Sequence, residues 1–275
     1  MATTETWEFD DVSAVHEVAP GLRRAELAEG WDMGGVPNGG YLLAVAARAL
    51  SEETGRPDPL AVTCHYVSPA RLGPIQIEAS VIRAAHRHSS ATALVTQEDA
   101  CVAFALATLT DLSRAPASRP FTALVPPDLP EPEDCILVRP VEGLTNVPPP
   151  IATKLELRLR PEDVGFAFGQ PHGRAEMMGW ASFADGRPPD TLSLLLFADA
   201  LPPTVFNAGY AIGWMPTLEL TVHVRKRPAP GPLLCAFKTN LVSGGYLEID
   251  GNIFDGNNEV VAMSRQLAVV PRTRS

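Results

Sequence analysis

Cysteine is sparse in this chain and basic residues are outnumbered. Cys64, Cys101, Cys135 and Cys235 are its four cysteines in 275 residues, and no two form a Cys-x-x-Cys pair. A zinc ribbon or dithiol redox motif is therefore not expected. Cys64 and Cys101 fall in strand-like apolar runs, where a small buried thiol is the ordinary reading. Lys and Arg number 22 against 32 Asp and Glu, a formal charge of −10. That balance argues against non-specific nucleic-acid binding, although a local basic pocket can still sit on an acidic protein. No apolar run approaches the roughly 18 residues of a membrane-spanning helix, so no membrane insertion is expected. Met1 to Asp10 is acidic and has no apolar stretch of the secretory-signal type, which points to a cytoplasmic location.

Several catalytic signatures are missing too. There is no Gly-x-Ser-x-Gly elbow, which weakens a serine hydrolase reading. The glycine-rich run at 34–40 is not followed by Gly-Lys-Ser/Thr, so it is not a nucleotide phosphate loop. His86 and His88 flank Arg87 with no acidic metal motif nearby, and they read as exposed turn residues rather than ligands. No metal and no bound organic cofactor are expected.

What is present is a motif that occurs twice. His65 is followed eight residues later by Gly73-Pro74, and His223 eight residues later by Gly231-Pro232, an offset of 158. An apolar helix-like run precedes each copy. Such self-similarity predicts two copies of one small helix-and-sheet unit, and a chain of this length can bury a core in each.

In the first copy, Val12 to Leu27 reads as a hairpin turning at Pro20-Gly21. Gly34 to Gly40 breaks regular structure, Asn38 caps a helix from Tyr41 to about Glu53, and Gly55 and Pro57 end it. That helix is apolar nearly all round, so it is buried on most sides. Strands are predicted at Leu60–Val67, Ile75–Ala85, Ala91–Gln97 and Val102–Asp111. Residues 113–150 carry ten prolines, from Pro116 through Pro140 to Pro150, and read as a connector. The second copy repeats the order. Strands at Thr153–Leu159 and Arg174–Phe183 precede a helix from Thr191 to Leu201, capped by Asp190 and stopped by Pro202-Pro203. Further strands follow at Thr217–Arg225, Leu233–Leu241, Tyr246–Phe254 and Val260–Val270. The expected class is α+β, each sheet wrapped around a helix, with units at 1–112 and 151–275.

The two copies differ at three polar positions. Aligned on their caps, the helices place Ala47 opposite Asp199, whose neighbours are Leu194-Leu195-Leu196-Phe197-Ala198. A carboxylate in such surroundings is costly unless several donors hold it. At the offset of 158, Thr217 corresponds to Pro59 and Gln266 to Thr108. Taken singly, Asp199 reads as an exposed-face residue, Thr217 as a strand edge and Gln266 as solvent-facing. Together they make a candidate site.

These residues carry a resemblance. Gly34-Gly35-Val36-Pro37-Asn38-Gly39-Gly40-Tyr41, Cys64-His65-Tyr66-Val67-Ser68-Pro69, Phe197-Ala198-Asp199, Pro216-Thr217-Leu218-Glu219 and Val261 to Gln266 resemble the acyl-CoA thioesterase II (TesB-like) family. The resemblance implies a double hotdog and, for Asp199, Thr217 and Gln266, joint activation of a hydrolytic water. It also implies an acyl-CoA substrate, fatty-acid metabolism and a homo-oligomer. One departure is visible. The family commonly has Asp-His where this chain has Glu219-Leu220, and His223 does not replace that His.

On this reading Asp199 is a general base, while Thr217 and Gln266 orient the water. Gly39, Gly40 and Tyr41, at a helix N-terminus, and Trp31 are candidates for oxyanion and substrate binding. Arg225, Lys226 and Arg227 form the densest basic run and are candidates for the coenzyme A phosphates. Trp31, Met33, Tyr41, Met177, Met178, Trp180 and Trp214 are candidates for an acyl channel or for packing. A non-catalytic acyl-CoA or lipid-binding module is the alternative on the same scaffold. A hydratase would need a His/Asp pair that is not found.

Overall fold

Alternating β-branched segments take the extended form their pattern predicts, and they line up edge to edge. The computed structural model describes residues 6–115, 119–139 and 147–270. Residues 1–5 of the acidic start, together with Pro116 and Pro140 of the connector, lie outside the described residues.

The chain begins with a short helix α1 (Glu8–Val12) and the hairpin β1 (His16–Ala19) and β2 (Leu22–Leu27). The helix α2 (Gly39–Thr54) follows, then β3 (Asp58–Tyr66), β4 (Gly73–Ala84), β5 (His88–Gln97) and β6 (Ala100–Thr110). After the proline-rich stretch come β7 (Ile136–Leu137), β8 (Leu155–Leu159), β9 (Glu176–Phe183) and the helix α3 (Ser193–Phe197). The last strands are β10 (Thr217–Val224), β11 (Leu233–Lys238), β12 (Val242–Ser243), β13 (Tyr246–Phe254) and β14 (Val260–Val269).

All fourteen strands belong to one antiparallel sheet, ordered β1-β2-β4-β5-β6-β3-β10-β14-β13-β11-β9-β8-β7, with β12 beside β13. The order β2-β4-β5-β6-β3 is repeated by β9-β11-β13-β14-β10, and the two sets meet through β3 and β10. The duplication read from spacing is thus written into the topology. At the junction Thr63 lies opposite Thr221, and their hydroxyls hydrogen-bond at 2.8 Å. These two residues are 158 apart, so the pairing is centred on equivalent positions of the two copies.

α2 is buried nearly all round, as its composition predicts, and packs across β3 to β6. Asn38 caps it by accepting from the Tyr41 N–H, and Gly55 ends it in the left-handed conformation at φ 62°. The second helix corrects the expectation of Thr191–Leu201, because α3 is only five residues long. The N-cap position falls at Leu192, which makes no side-chain bond, while Asp190 two residues earlier accepts from the Ser193 N–H at 2.7 Å. Beyond Phe197 the turn tightens, with Asp199 N–H donating to Leu196 O at 3.0 Å. Pro202 and Pro203 then remove two donors and bias Leu201 away from the helical region. The connector also does more than link: its β7 pairs with β8 at the edge of the sheet.

One buried carboxylate ties the two copies beside the β3–β10 junction. Asp58, whose side chain is 3% exposed, pairs with Arg227 at 2.8 Å. It also accepts from the Leu112 N–H and the Thr191 hydroxyl. Removing it leaves these donors without their common acceptor. Asp58→Ala is expected to cost about 2–3 kcal/mol in urea-unfolding free energy. A loss below about 0.5 kcal/mol, the usual range for an inconsequential surface change, would show that strand pairing alone sets the junction.

Candidate active site

Asp199 stands one residue past the Ala198 C-cap of α3 and faces the N-terminus of α2. Its Oδ2 accepts from the Gly40 N–H at 3.0 Å and from Asn38 Nδ2 at 3.2 Å. Its Oδ1 accepts from Gln266 Nε2 at 2.8 Å, and the same nitrogen donates to Thr217 Oγ1 at 2.6 Å. The three polar residues peculiar to the second copy therefore converge on one another. The carboxylate can only accept, which fixes the Gln266 nitrogen toward it.

Burial pushes the Asp199 carboxyl up from 3.8 to about 6, against the opposing pull of the Gly40, Gln266, Gly39 and Asn38 donors. Close approach makes this possible. A Cβ on Gly40 would lie 2.7 Å from Leu195 O and 2.8 Å from Leu196 O, and one on Gly39 would lie 2.9 Å from Asp199 Oδ2. Two glycines let the end of α3 rest directly on the start of α2.

The strand that carries Thr217 is irregular at that point. Thr217 pairs with Ala268 and Glu219 with Leu267, so β10 bulges between them. Thr217 and Leu218 consequently both border the same cavity, as a bulge permits. Upstream, Gly34 and Gly35 take φ 87° and 95° and fold their N–H groups onto the buried Asp32 carboxylate. The glycine-rich run is a tight, anchored loop.

The polar network heads a cavity of about 720 Å³. Its wall is apolar: Leu157 and Leu159 of β8, Phe237 of β11, Ile249 of β13, and Phe166 and Phe206 from short 3₁₀ turns. Residues 147–152 and 198–204 close the remaining sides. Asn38, Gly39 and Tyr66 come from the first copy and border the cavity beside Asp199, Thr217 and Gln266.

Other expectations are corrected. Trp31 does not reach the cavity: it is 1% exposed and stacked between Phe9 and Tyr41, with centroids 5.6 and 5.5 Å away. Tyr41 is fully buried, its hydroxyl donating to Val12 O at 2.7 Å, and its N–H is taken by Asn38. The Gly40 N–H is likewise committed to Asp199. The α2 N-terminus thus holds the carboxylate, with the Gly39 and Gly40 N–H groups both turned toward Asp199.

The basic run also lies elsewhere, because Lys226 pairs with Glu259 and Arg227 with Asp58 and Asp111. Arg225 is exposed and does not border the cavity. Of the channel candidates, Met33 and Trp214 line it, whereas Met177, Met178 and Trp180 do not. Glu219 and Leu220, the departure from the family pattern, lie outside the cavity lining, and Leu220 is fully buried. Cys64 is buried, and burial pushes its thiol up to about 12. Among the described residues no cluster of His, Cys, Asp or Glu is arranged to hold a metal ion.

Two residues were missed as site components. Asn38 was read as a cap, yet it also donates through Nδ2 to the carbonyl and carboxylate of Asp199. Tyr66 donates its hydroxyl to Gly39 O at 2.7 Å and packs over the same glycine. The cap signature was a visible signal for Asn38; Tyr66 lay in the Cys64–Pro69 segment that carries the resemblance, but nothing there singled it out as a site residue.

Comparison with known proteins agrees with this geometry. An uncharacterised protein of Mycobacterium tuberculosis is 26% identical over 268 residues, 90% of each chain. A Thermobifida fusca structure provisionally assigned as a thioesterase II is 29% identical, covers 96% of this chain and 98% of its own, and superposes with a TM-score of 0.86. A hotdog-fold protein of unknown function from Alicyclobacillus acidocaldarius is 23% identical over 98% of this chain and 100% of its own, with the same TM-score of 0.86, and it shows the fold alone. Residues 27–110 match the acyl-CoA thioesterase N-terminal domain model and residues 132–270 the C-terminal domain model. The chain belongs to the TesB-like family of acyl-CoA thioesterases.

The close contact at Gly40 is testable without substrate. Gly40→Ala drives a methyl group into backbone carbonyls of α3, and an overpacked substitution of this kind costs about 1–3 kcal/mol. Thermal unfolding should show that loss. An unchanged Tm would mean the two helix ends do not rest on each other as described.

Proposed function

We propose that this protein hydrolyses acyl-CoA thioesters by direct attack of water, with Asp199 as general base. The observation that carries the reading is the convergence of Asp199, Gln266 and Thr217 at the head of a large apolar cavity. A thioester carbonyl is electrophilic enough for an oriented, partly deprotonated water. Gln266 spends its N–H groups on Asp199 and Thr217, so its Oε1 is left to accept from that water. Thr217 Oγ1 accepts from Gln266, which leaves its own hydrogen to donate. A water that donates to Asp199 and to Gln266 Oε1 keeps a lone pair for the carbonyl carbon. The positive end of α2 would favour the negative charge that develops on the carbonyl oxygen. The acyl chain would lie along the apolar wall of Leu157, Leu159, Phe166, Phe206 and Phe237.

In this reading the architecture is a double hotdog, with one unit at 1–112, a connector at 113–150 and a second unit at 151–275. The site is shared, because Asn38, Gly39 and Gly40 come from the first unit and the water-activating residues from the second. The reading includes action in the cytoplasm and self-association, which size-exclusion chromatography with light scattering measures.

Thiol release from short, medium and long acyl-CoAs is the direct test. Asp199→Asn should lower kcat about 10²–10⁴-fold, the worth of general-base assistance. Equal rates for wild type and Asp199→Asn on every substrate would sink the mechanism. As a base, Asp199 must be ionised, so kcat/KM should rise with pH and level off above about 6, where burial has raised its carboxyl.

Stability runs the other way. A carboxyl whose folded-state pKa lies above its unfolded value contributes most below about 4 and loses that contribution as pH rises through about 6. The unfolding free energy of wild type minus that of Asp199→Asn should therefore fall across this window. A difference that stays flat or rises would contradict the assignment of the raised carboxyl to Asp199.

A further inference from the structure

Only two charged side chains line the cavity among the described residues, Asp199 and Arg139. Asp199 is held by the donors already described. Arg139 is held differently. Its Nη1 donates to three backbone carbonyls, Val138 O at 2.9 Å, Ala152 O at 2.7 Å and Leu155 O at 3.1 Å. These acceptors are neutral, and among the described residues no carboxylate pairs with Arg139 and nothing accepts from its Nε or Nη2. Arg139 is half-buried in a wall of Ile136, Leu137, Val138, Ile151 and Ala152. A cation in such surroundings is costly until an anion joins it.

We propose that Arg139 is a specificity-determining residue that receives an anionic group of the bound thioester, a phosphate of the carrier or a carboxylate on the acyl chain. The proposal rests on the reading of this cavity as a thioester site. The three carbonyls fix the guanidinium by one nitrogen and, among the described residues, leave its Nε–Nη2 edge without a partner; the parallel N–H groups of that edge match two oxygens of a carboxylate or phosphate. A cation held in place before binding loses little freedom on binding. The exposed run at Arg225 to Arg227 has no such geometry, since two of its members are already paired and none borders the cavity.

The test is calorimetric binding of four thioethers that cannot be hydrolysed: S-hexyl-CoA, S-(5-carboxypentyl)-CoA and their N-acetylcysteamine counterparts, which lack phosphates. Arg139→Met should weaken the ligands that carry the recognised anion roughly tenfold to hundredfold, the worth of a charge-assisted hydrogen bond. Binding of S-hexyl-N-acetylcysteamine should stay within about twofold, a change smaller than one neutral hydrogen bond. Losses on both CoA ligands alone identify the phosphate. Losses on both carboxypentyl ligands alone identify the carboxylate. Equal weakening of all four, or of none, overturns the proposal.

Arg139→Lys keeps the charge but not the two-pronged edge, so it should give a smaller loss confined to the same ligands. It also serves if the Met variant fails to fold, and an equal loss on all four ligands would again overturn the idea. Because binding is read without turnover, the two readings fail separately. Selective binding with no hydrolysis of acyl-CoA overturns the hydrolase alone. Hydrolysis with unselective losses at Arg139 overturns this assignment alone.

Discussion

A carboxylate taken out of bulk water must find donors, and Asp199 finds them on both copies of the fold. Gly40 and Asn38 at the start of α2 supply one side, and Gln266 of β14 supplies the other. This demand fixes much of the centre of the molecule. It needs glycine at 39 and 40 so that α3 can approach. It also needs α2 to begin where Asn38 can cap it and reach across in the same act. The donors do not fully repay desolvation, and the carboxyl remains at about 6. That incomplete compensation makes the group basic enough to accept a proton near neutrality while leaving it ionised there.

The second organising element is the β3–β10 junction. Antiparallel pairing centred on Thr63 and Thr221 relates the copies by an approximate two-fold axis, and the offset visible in the sequence is the register of that pairing. Symmetry places the start of α2 next to the end of α3. The related positions in the first copy carry Ala47, Pro59 and Thr108, so the polar trio has no counterpart there. Asp58 and Arg227 then fasten one end of the junction.

Most strands, α2 and the Asp199–Thr217–Gln266 convergence were legible in the sequence because each has a local or periodic signal. Alternation marks strands, a cap and a glycine bracket α2, and comparison of two copies isolates residues that only one possesses. What failed depended on tertiary context. Trp31 and Tyr41 look like channel residues by composition, yet packing of Trp31 on Phe9 and of Tyr41 on Trp31 decides their place. The run Arg225 to Arg227 looks like an anion site until Asp58 and Glu259 are seen beside it. Arg139 gave no signal, since its importance lies in what borders it and not in its neighbours along the chain. The proline-rich composition of 113–150 concealed β7, because two residues are too short to show alternation.

The shortness of α3 has a consequence for how the molecule holds space. α2 has 16 residues and α3 only 5, so eleven residues that are helix in one copy have no helical counterpart in the other. At 1.5 Å per residue that is a missing rod about 16 Å long. The cavity lies against β8, β11, β13 and β14 and behind residues 198–204, on the side where such a rod would continue. In place of a continued helix, residues 198–203 run along the cavity to a short 3₁₀ turn at Thr204–Phe206. The residues that follow Phe197 therefore do two jobs, carrying Asp199 and forming one wall of the cavity through residues 198–204.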